Sequence, residues 1–535
     1  MTTREKVAAA YELHGDNVSA LSREVNIERS TVRYHLKALG LYGKPLAGGR
    51  LPDTDIVALD LPPKGEVMRV LLTSAQNNTH VHAGFWSNLL ALSEHYGASI
   101  LVSTFNYNKN AYGGRAVKRG KTATDEDKKP LWYDPEIRDY ICDDKVEVAP
   151  GLIFCGDLCL SPTASRPLTG WKNHTRRKSG IFPHPKVALE SVAATGGRAA
   201  KMNYTTGAVT LHNYIAKAAG QKAEFHHTFG ALLVEVDDEG RWYVRQVIGN
   251  KKGALQDLDV VVSGGKVTTG NRVEAITWGD FHAAHLDPIV RDIGWSQREV
   301  DDAENPSMLD ALRPKEQHVH DLLDFYSRNH HDRKNPRKMF ARWAEKKDDV
   351  RREIEQCADI LAEIERPWAK TIVVDSNHDR AMQRWLDEVD GREDPQNARF
   401  WFQANDAVYG AIEDGDDLHL LEWAMRRHGC PKDVRFLRED ESHLICGDIE
   451  CGIHGDRGAS GTRGTIAGLA QIGDRLNGAD KHQAAILWGS YWCGTSSKLK
   501  LGYTAGPSAW THSHTVTYPN GKRTIVTMYG GKWRA

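Results

Sequence analysis

The sequence predicts an α/β protein in three parts: a small all-helical unit, an α/β accessory domain, and a larger α/β domain that carries the chemistry. Three observations lead there. Short helical patterns separated by tight turns fill the first 45 residues, a β-α-β alternation starts at Met68, and beyond residue 270 apolar strand patterns repeatedly end on Asp, Asn or His. A chain of 535 residues exceeds one ordinary domain, which runs to about 100–200 residues. Its 40% hydrophobic and 26% charged residues are those of a globular protein with a real core. No apolar run approaches the roughly 18 residues of a membrane span, and the start, MTTREKVAAAYELHG, has no signal-peptide pattern, so no membrane partner and a cytoplasmic location are expected. The eight cysteines include no CxxC pair and read as reduced, structural thiols. With a formal net charge of −1, any attraction to nucleic acid has to come from local patches.

Residues 1–44 read as a helix-turn-helix. Helical patterns run over Arg4–Leu13, Val18–Val25 and Ser30–Leu39, with His14-Gly15-Asp16-Asn17 as the first break. Val18, Leu21 and Val25 form one apolar face and Val32, Leu36 and Leu39 the next. Arg29, Thr31, Arg33, Tyr34 and Lys37 fall opposite, where they are candidates to reach phosphates and base edges in a major groove; a three-helix docking unit with a solvated basic face is the alternative. Residues 45–66, with Gly48, Gly49, Pro52, Pro62 and Pro63, lack periodicity and read as a linker.

Residues 67–270 are expected to form an α/β accessory domain. The strand MRVLL, the turn TSAQNNTHVH, a helix over about 84–96 and the strand ASILVS make a β-α-β unit. LIFCGD is a further strand, and FGALLVEV and RWYVRQV flank Asp237-Asp238-Glu239-Gly240 as a hairpin. The turn carrying Gln76, Asn77, Asn78, His80 and His82 follows a strand's C-terminal end, where α/β sheets bind ligands, though an Asn-rich turn is more often only a turn.

Residues 271–535 hold the constellation. The strand EAITW runs into Asp280-Phe281-His282, whose carboxylate and imidazole can converge on one cation. His320-Asp321-Leu322-Leu323-Asp324 follows, in a run read as helical as far as Asp332; one of its carboxylates could bridge two ions. KTIVV ends in Asp375-Ser376-Asn377-His378-Asp379, where an Asn carbonyl can ligate and a carboxylate-backed histidine can face substrate. His454 lies beyond another β-like stretch. The closing pair is either Asp480 and His482, after the helix-like TIAGLAQIGDRL, or His512 and His514; the first is preferred because the apolar run AAILWGSYW follows it.

This order of Asp-x-His, Asp-x-x-Asp, Asn-His-Asp, His and a closing cluster resembles the calcineurin-like metallophosphoesterase superfamily. Across most of the chain, TSAQNNTHVH, EFHHTFGALLVEV, GDFHAAHLD, SNHDRAMQRWL, HGDRGASGTRG and GTSSKLKLGYTAGPSAWTHSHTVTYPNGKR look like the phage metallophosphoesterases related to the pre-early DNA-degradation and DNA-transfer protein of tailed phages. The resemblance implies a two-layered β-sandwich flanked by helices and a metal-dependent DNase in the host cytoplasm. It implies that Asp280 and His282 bind a first metal, that Asp321 bridges, that Asn377 and His454 bind a second, and that His378 is the general acid, with Asp379 or another nearby acid orienting it. Asp480 would stand where the family has a histidine, which favours Mn²⁺ or Mg²⁺ over Zn²⁺. Arg457, Arg463, Lys498, Lys500 and Lys522 are candidates for a DNA groove, and a homo-oligomer is expected. The rivals are a phosphatase or small-nucleotide phosphodiesterase of the same fold and a non-catalytic DNA-binding regulator.

Overall fold

The computed structural model describes residues 1–14, 18–42, 56–107, 132–297, 306–501 and 504–535. The break at Gly15–Asn17 and the linker positions Gly48, Gly49 and Pro52 lie outside the described residues.

Three N-terminal helices, α1 (Thr3–His14), α2 (Val18–Val25) and α3 (Arg29–Ala38), enclose a core of Val7, Ala10, Tyr11, Leu21, Val32 and Leu36. Val32 and Leu36 meet that core because residues four apart share one helix face. Arg29 departs from the expectation that it faces DNA. It is 4% exposed and turned into the protein, where it pairs with Asp143 and donates to the carbonyl of Asp157 at 3.0 Å. A guanidinium among acceptors gains more there than in water, so Arg29 docks the helical unit onto the following domain.

The β-α-β unit is present. Val67–Gln76 pairs in parallel with Ser99–Phe105 across the helix Ala83–Tyr96, and antiparallel with Gly230–Asp237, which forms the expected hairpin with Trp242–Ile248. The polar turn before the helix is consumed by the fold: His82 accepts from the Phe85 N–H, His80 bonds Asp134 and the Asn77 side chain accepts from the Tyr107 N–H. Ile56–Ala58, expected in a linker, pairs in parallel with Lys145–Glu147 instead. It opens an eleven-stranded sheet that continues through Leu152–Cys155, Ser179–Phe182, Lys201–Thr205 and Leu189–Val192. The sheet then crosses residue 270, because Leu189 and Glu190 pair with Ile486 and Ala485, and it ends on Ser490–Trp492, Arg475–Gly478, Ile449–Glu450 and Leu444–Ile445.

A six-stranded sheet runs in the order Arg435–Phe436, Lys370–Val373, Glu316–Val319, Ala275–Thr277, Ser513–Thr517 and Arg523–Thr527. Its two faces follow the two-residue side-chain period of a strand. Ile276, Val319 and Val373 enter a large core with Ile354, Leu361 and Trp385 of the helices Val350–Ile364 and Ala381–Glu388. Ala275, one residue earlier, packs the other way, on Ile445, Ile449 and Cys451 at the end of the eleven-stranded sheet. Two corrections to the predicted elements concern the site. The run after Val319 is not helical; Asp321 and Phe325 have φ of 45° and 49°, and only a single 3₁₀ turn, Tyr326–Arg328, follows. Of TIAGLAQIGDRL, only Ile466–Leu469 is helical, and Arg475–Gly478 is a strand. Among the described residues, no helix is long and apolar enough to cross a membrane.

Candidate metal centre

Three neighbouring parallel strands, Ala275–Thr277, Glu316–Val319 and Lys370–Val373, deliver Asp280 and His282, Asp321, and His378 to one edge of the six-stranded sheet. The ends of two parallel strands of the other sheet, Ile449–Glu450 and Arg475–Gly478, deliver His454, Asp480 and His482 to the same place. The first two exits remain side by side beyond their strands. The N–H groups of Phe281, His282 and Ala283 donate to the carbonyls of His320, Asp321 and Leu322 at 3.0, 2.8 and 3.1 Å. Asp280 is held from behind, its carbonyl accepting from the Thr495 hydroxyl at 2.9 Å, and this approach requires glycine: a Cβ on Gly279 would lie 2.7 Å from the carbonyl carbon of Gly494. His282, Asp321, Asp480 and His482 all have positive φ, between 45° and 66°. Such backbone costs on the order of 1–3 kcal/mol at each non-glycine residue and concentrates at functional sites.

Asp280, His282, Asp321 and His482 are buried, with one donor atom of each lying within 4.8 Å of all the others; they could hold a metal ion. Nε2 of His282 and Nε2 of His482 are 3.0 Å apart, and the latter is 3.0 Å from Asp280 Oδ2. Asp321 Oδ2 lies 3.6 Å from His282 Nε2 and 3.3 Å from His454 Nε2, which is itself 3.7 Å from Asp480 Oδ1. Asp321 therefore sits between two donor groups. Among the described residues, Asp321 Oδ1 is buried and makes no hydrogen bond, and the buried Asp280 Oδ2 and His454 Nε2 face only other members of the cluster, His482 and the carboxylates of Asp321 and Asp480, without well-aligned hydrogen bonds. Buried polar atoms are rarely left so, and a cation bound among them would satisfy all three.

The charges respond to one another. Burial alone would favour neutral His454, but Asp321, Asp280 and Asp480 raise its pKa to about 10. Burial is likewise outweighed at His282, where the Asp324 hydrogen bond and the Asp321 carboxylate bring the pKa to about 9. Asp321 is held well below the usual carboxylate range, against its burial, chiefly by His454 and His378. His320, buried against His454 with their Nδ1 atoms 3.3 Å apart, is pushed down to about 3 and stays neutral. It occupies the rear nitrogen of His454 and leaves Nε2 directed at Asp321.

His378 is half-buried, its ring centroid 4.8 Å from that of His282. Of the two possibilities for its carboxylate neighbour, Asp379 or another nearby acid, the structure brings the second to the ring. Asp379 is turned away, accepting from the Leu323 N–H at 2.9 Å and the Ser376 hydroxyl at 2.7 Å; burial and then the Asp321 charge lift it to about 7. Asp324 lies at His378 instead, with Oδ1 3.4 Å from Nδ1, and the same oxygen is 3.0 Å from His282 Nδ1. The three-residue interval from Asp321 was its signal in the sequence. Asn377 is exposed on the same turn. Of the two closing pairs, Asp480 and His482 reach the cluster. His514 accepts from the Gly279 N–H at 3.0 Å, and His512 Nε2 lies 2.9 Å from the Ser497 carbonyl oxygen, so both brace the loops behind Asp280. In the helical unit Tyr34 and Lys37 are exposed, while Thr31 and Arg33 are half-buried. Among the five groove candidates, Arg457 pairs with Glu439 and Lys522 is half-buried; Arg463, Lys498 and Lys500 are exposed.

No family model matches the chain. Protein A1 of Escherichia phage T5 is 36% identical to it over 477 residues, which cover 87% of this chain and 83% of that protein.

Proposed function

The chain belongs to the family of phage T5 Protein A1, and on that footing we propose that it is a metal-dependent phosphodiesterase acting on DNA, with a metallophosphoesterase sandwich as its catalytic part. The observation that carries this reading is the placing of Asp321 between two donor groups, Asp280–His282–His482 on one side and His454–Asp480 on the other. Asn377, exposed on the turn that carries His378, would complete the second group. A carboxylate shared in this way suits a two-ion centre better than a single structural ion, whose donor set closes around one point.

Two divalent ions held there would supply Lewis-acid polarisation of a phosphoryl oxygen and a water acidic enough to attack at neutral pH. The oxygen-rich set, with three carboxylates and an amide, favours Mn²⁺ or Mg²⁺. The protein's own part is to orient and to move a proton. His378, at the open side of the cluster and backed by Asp324, donates to the leaving oxygen, while His320 and Asp324 fix the rings of His454 and His282. The N-terminal helices act as a helix-turn-helix, with Thr31, Arg33, Tyr34 and Lys37 meeting the duplex and raising its local concentration at the centre. The working location is the host cytoplasm, and the working form is a homo-oligomer.

The test is cleavage of circular and linear duplex DNA with Mn²⁺, Mg²⁺ or EDTA, comparing the wild type with Asp321→Ala and His378→Ala. Cleavage that needs metal and both side chains supports the reading, and the circular substrate separates nicking from end-dependent degradation. Intact DNA alongside hydrolysis of a small phosphodiester would replace it with a small-nucleotide phosphodiesterase.

A further inference from the structure

A second group of donor atoms lies at the opposite end of the catalytic sheet from the substrate edge. Glu316 and His318 occupy the same face of the strand Glu316–Val319, since residues two apart share a face. His443 approaches from the loop before Leu444–Ile445, the edge strand of the eleven-stranded sheet. Glu316 Oε1 is 3.1 Å from His318 Nε2 and 3.0 Å from His443 Nε2. Both imidazoles thus converge on one carboxylate oxygen, and among the described residues this is one of three such groups able to hold a metal ion.

We propose that Glu316, His318 and His443 form a further metal site, taking a borderline divalent transition ion such as Zn²⁺, separate from the Asp321 centre. The donor set is two imidazoles and a carboxylate, which suits such an ion better than Mg²⁺ or Ca²⁺. The spacing suits an ion: a tetrahedral ion with bonds of about 2.0–2.1 Å places its donors about 3.3 Å apart, close to the 3.1 and 3.0 Å from Glu316 Oε1 to the two imidazoles, and all three donor atoms lie within 4.8 Å of one another. Of the ring nitrogens facing away, His443 Nδ1 lies 3.5 Å from a guanidinium nitrogen of Arg435. His318 Nδ1 is 3.0 Å from the hydroxyl of Thr277, its register partner on the neighbouring strand. The His443 backbone N–H donates at 2.9 Å to the buried Glu450 carboxylate, which also accepts from the Gly452 N–H at 2.6 Å and from the Ser442 hydroxyl. Ligating histidines are held in this way by outer hydrogen bonds that fix the ring and leave one nitrogen free.

Access is also suited to an ion. The His318 side chain is fully buried, whereas those of Glu316 and His443 are 15% and 14% exposed, so one side of the group is open to water and can supply a fourth ligand. The site joins the six-stranded sheet to the last strands of the eleven-stranded sheet, and those strands carry His454, Asp480 and His482. Its ion is therefore a clip that holds the two halves of the catalytic centre in register.

The experiment uses the full chain carrying Asp321→Asn, so that the other centre is disabled equally in every sample. Zn²⁺ content is counted after dialysis, Co²⁺ is titrated while its visible d–d absorption is followed, and melting is recorded with and without Zn²⁺. The parent is expected to hold one more equivalent of Zn²⁺ than the same protein with His443→Ala, and to show a Co²⁺ band and a Zn²⁺-dependent rise in melting temperature that the His443→Ala protein lacks. Glu316→Gln keeps a hydrogen-bond acceptor for both rings but loses the charge, so it should fold without Zn²⁺ while binding it at least about 10-fold more weakly; it decides the matter if His443→Ala does not fold. Equal Zn²⁺ content in parent and variants, or a Co²⁺ band that survives both substitutions, overturns the proposal and leaves the group as a hydrogen-bonded ion pair.

Discussion

Asp324→Asn separates the two carboxylates that could serve His378. In the structure Asp324 touches three imidazoles, His282 at 3.0 Å, His378 at 3.4 Å and His285 at 3.4 Å, whereas Asp379 contacts Ser376 and the Leu323 N–H. Asparagine keeps the shape but removes the charge and can accept through one oxygen only. His282 then loses the partner that fixes its ring, and an outer partner of a metal ligand is worth about 10–100-fold in affinity, or about 1.4–2.7 kcal/mol. His378 loses its backing separately, so at saturating Mn²⁺ turnover should still fall on the order of 10²-fold, the effect of impairing an acid–base group. Asp379→Asn should instead cost about 1–3 kcal/mol of stability through its loop contacts and leave turnover near wild type at a temperature where the protein is folded. Calorimetric Mn²⁺ titration, DNA cleavage at saturating metal and thermal melts of both variants decide the question. Wild-type turnover in Asp324→Asn together with a 100-fold loss in a folded Asp379→Asn would refute the assignment and restore Asp379 as the orienting acid.

Asp321→Ala should lose high-affinity binding at both donor groups at once, whereas Asp480→Ala should weaken mainly the second; calorimetric stoichiometry distinguishes the two patterns. Without metal, the pKa values of His282 and His454 are raised to about 9 and about 10 from 6.5, so protonation favours the folded state. Their contribution is fully present below about pH 6.5 and is lost as pH rises through 9 to 10. The melting temperature of EDTA-treated protein should therefore fall across that window, while metal-loaded protein, whose ligands must be deprotonated, should release protons on loading and show no such fall. Arg29→Ala should free the N-terminal helices to limited proteolysis with little direct effect on DNA contact. Arg33→Ala and Lys37→Ala should leave the unit docked and each reduce the salt dependence of DNA binding by about one phosphate contact. Arg245, buried between Glu235 and Asp257, should cost about 3–5 kcal/mol when replaced by Ala, because two buried carboxylates lose their counter-charge; denaturant unfolding measures it.

Two of the strands that carry the centre were legible because each is a short, largely apolar run that stops on a residue with a charge or a ring. That pattern located Ala275–Thr277 and Lys370–Val373, and with them Asp280, His282 and His378, whereas Glu316–Val319, which reads Glu-Gln-His-Val, has no apolar run, and Asp321 was found by its spacing from Asp324. Periodicity reports only which face is buried, and here it failed at both joins. The stretch after Val319 has helical spacing but is bent by left-handed residues at Asp321 and Phe325, whose energy is offset by contacts made far away in the chain. Ile56–Ala58 and the strands after residue 440 carry too little pattern to show that they belong to one sheet, because strand pairing between residues 189 and 486 is fixed by tertiary packing and not by local sequence.

The partner of His378 was left open between another nearby acid and Asp379 for a related reason. Adjacency in sequence made it the natural partner of His378, yet a tight turn points neighbouring side chains in different directions. Ser376 and the Leu323 N–H capture the Asp379 carboxylate inside the loop. Asp324 reaches both His378 and His282 because Asp321 and Phe325, on either side of it, take the left-handed conformation and turn the segment back over the end of its own strand. The same bend that hides this segment from a helical reading thus places one carboxylate between the two donor groups and the next against the rings. A substitution at Phe325 that disfavours positive φ, such as Phe325→Val, should therefore weaken metal binding with no ligand removed, while Phe325→Gly should retain the ligand geometry and lose mainly the core contact of the ring with Trp385. Equal Mn²⁺ affinity in the two variants would show that the bend is not what positions Asp321 and Asp324.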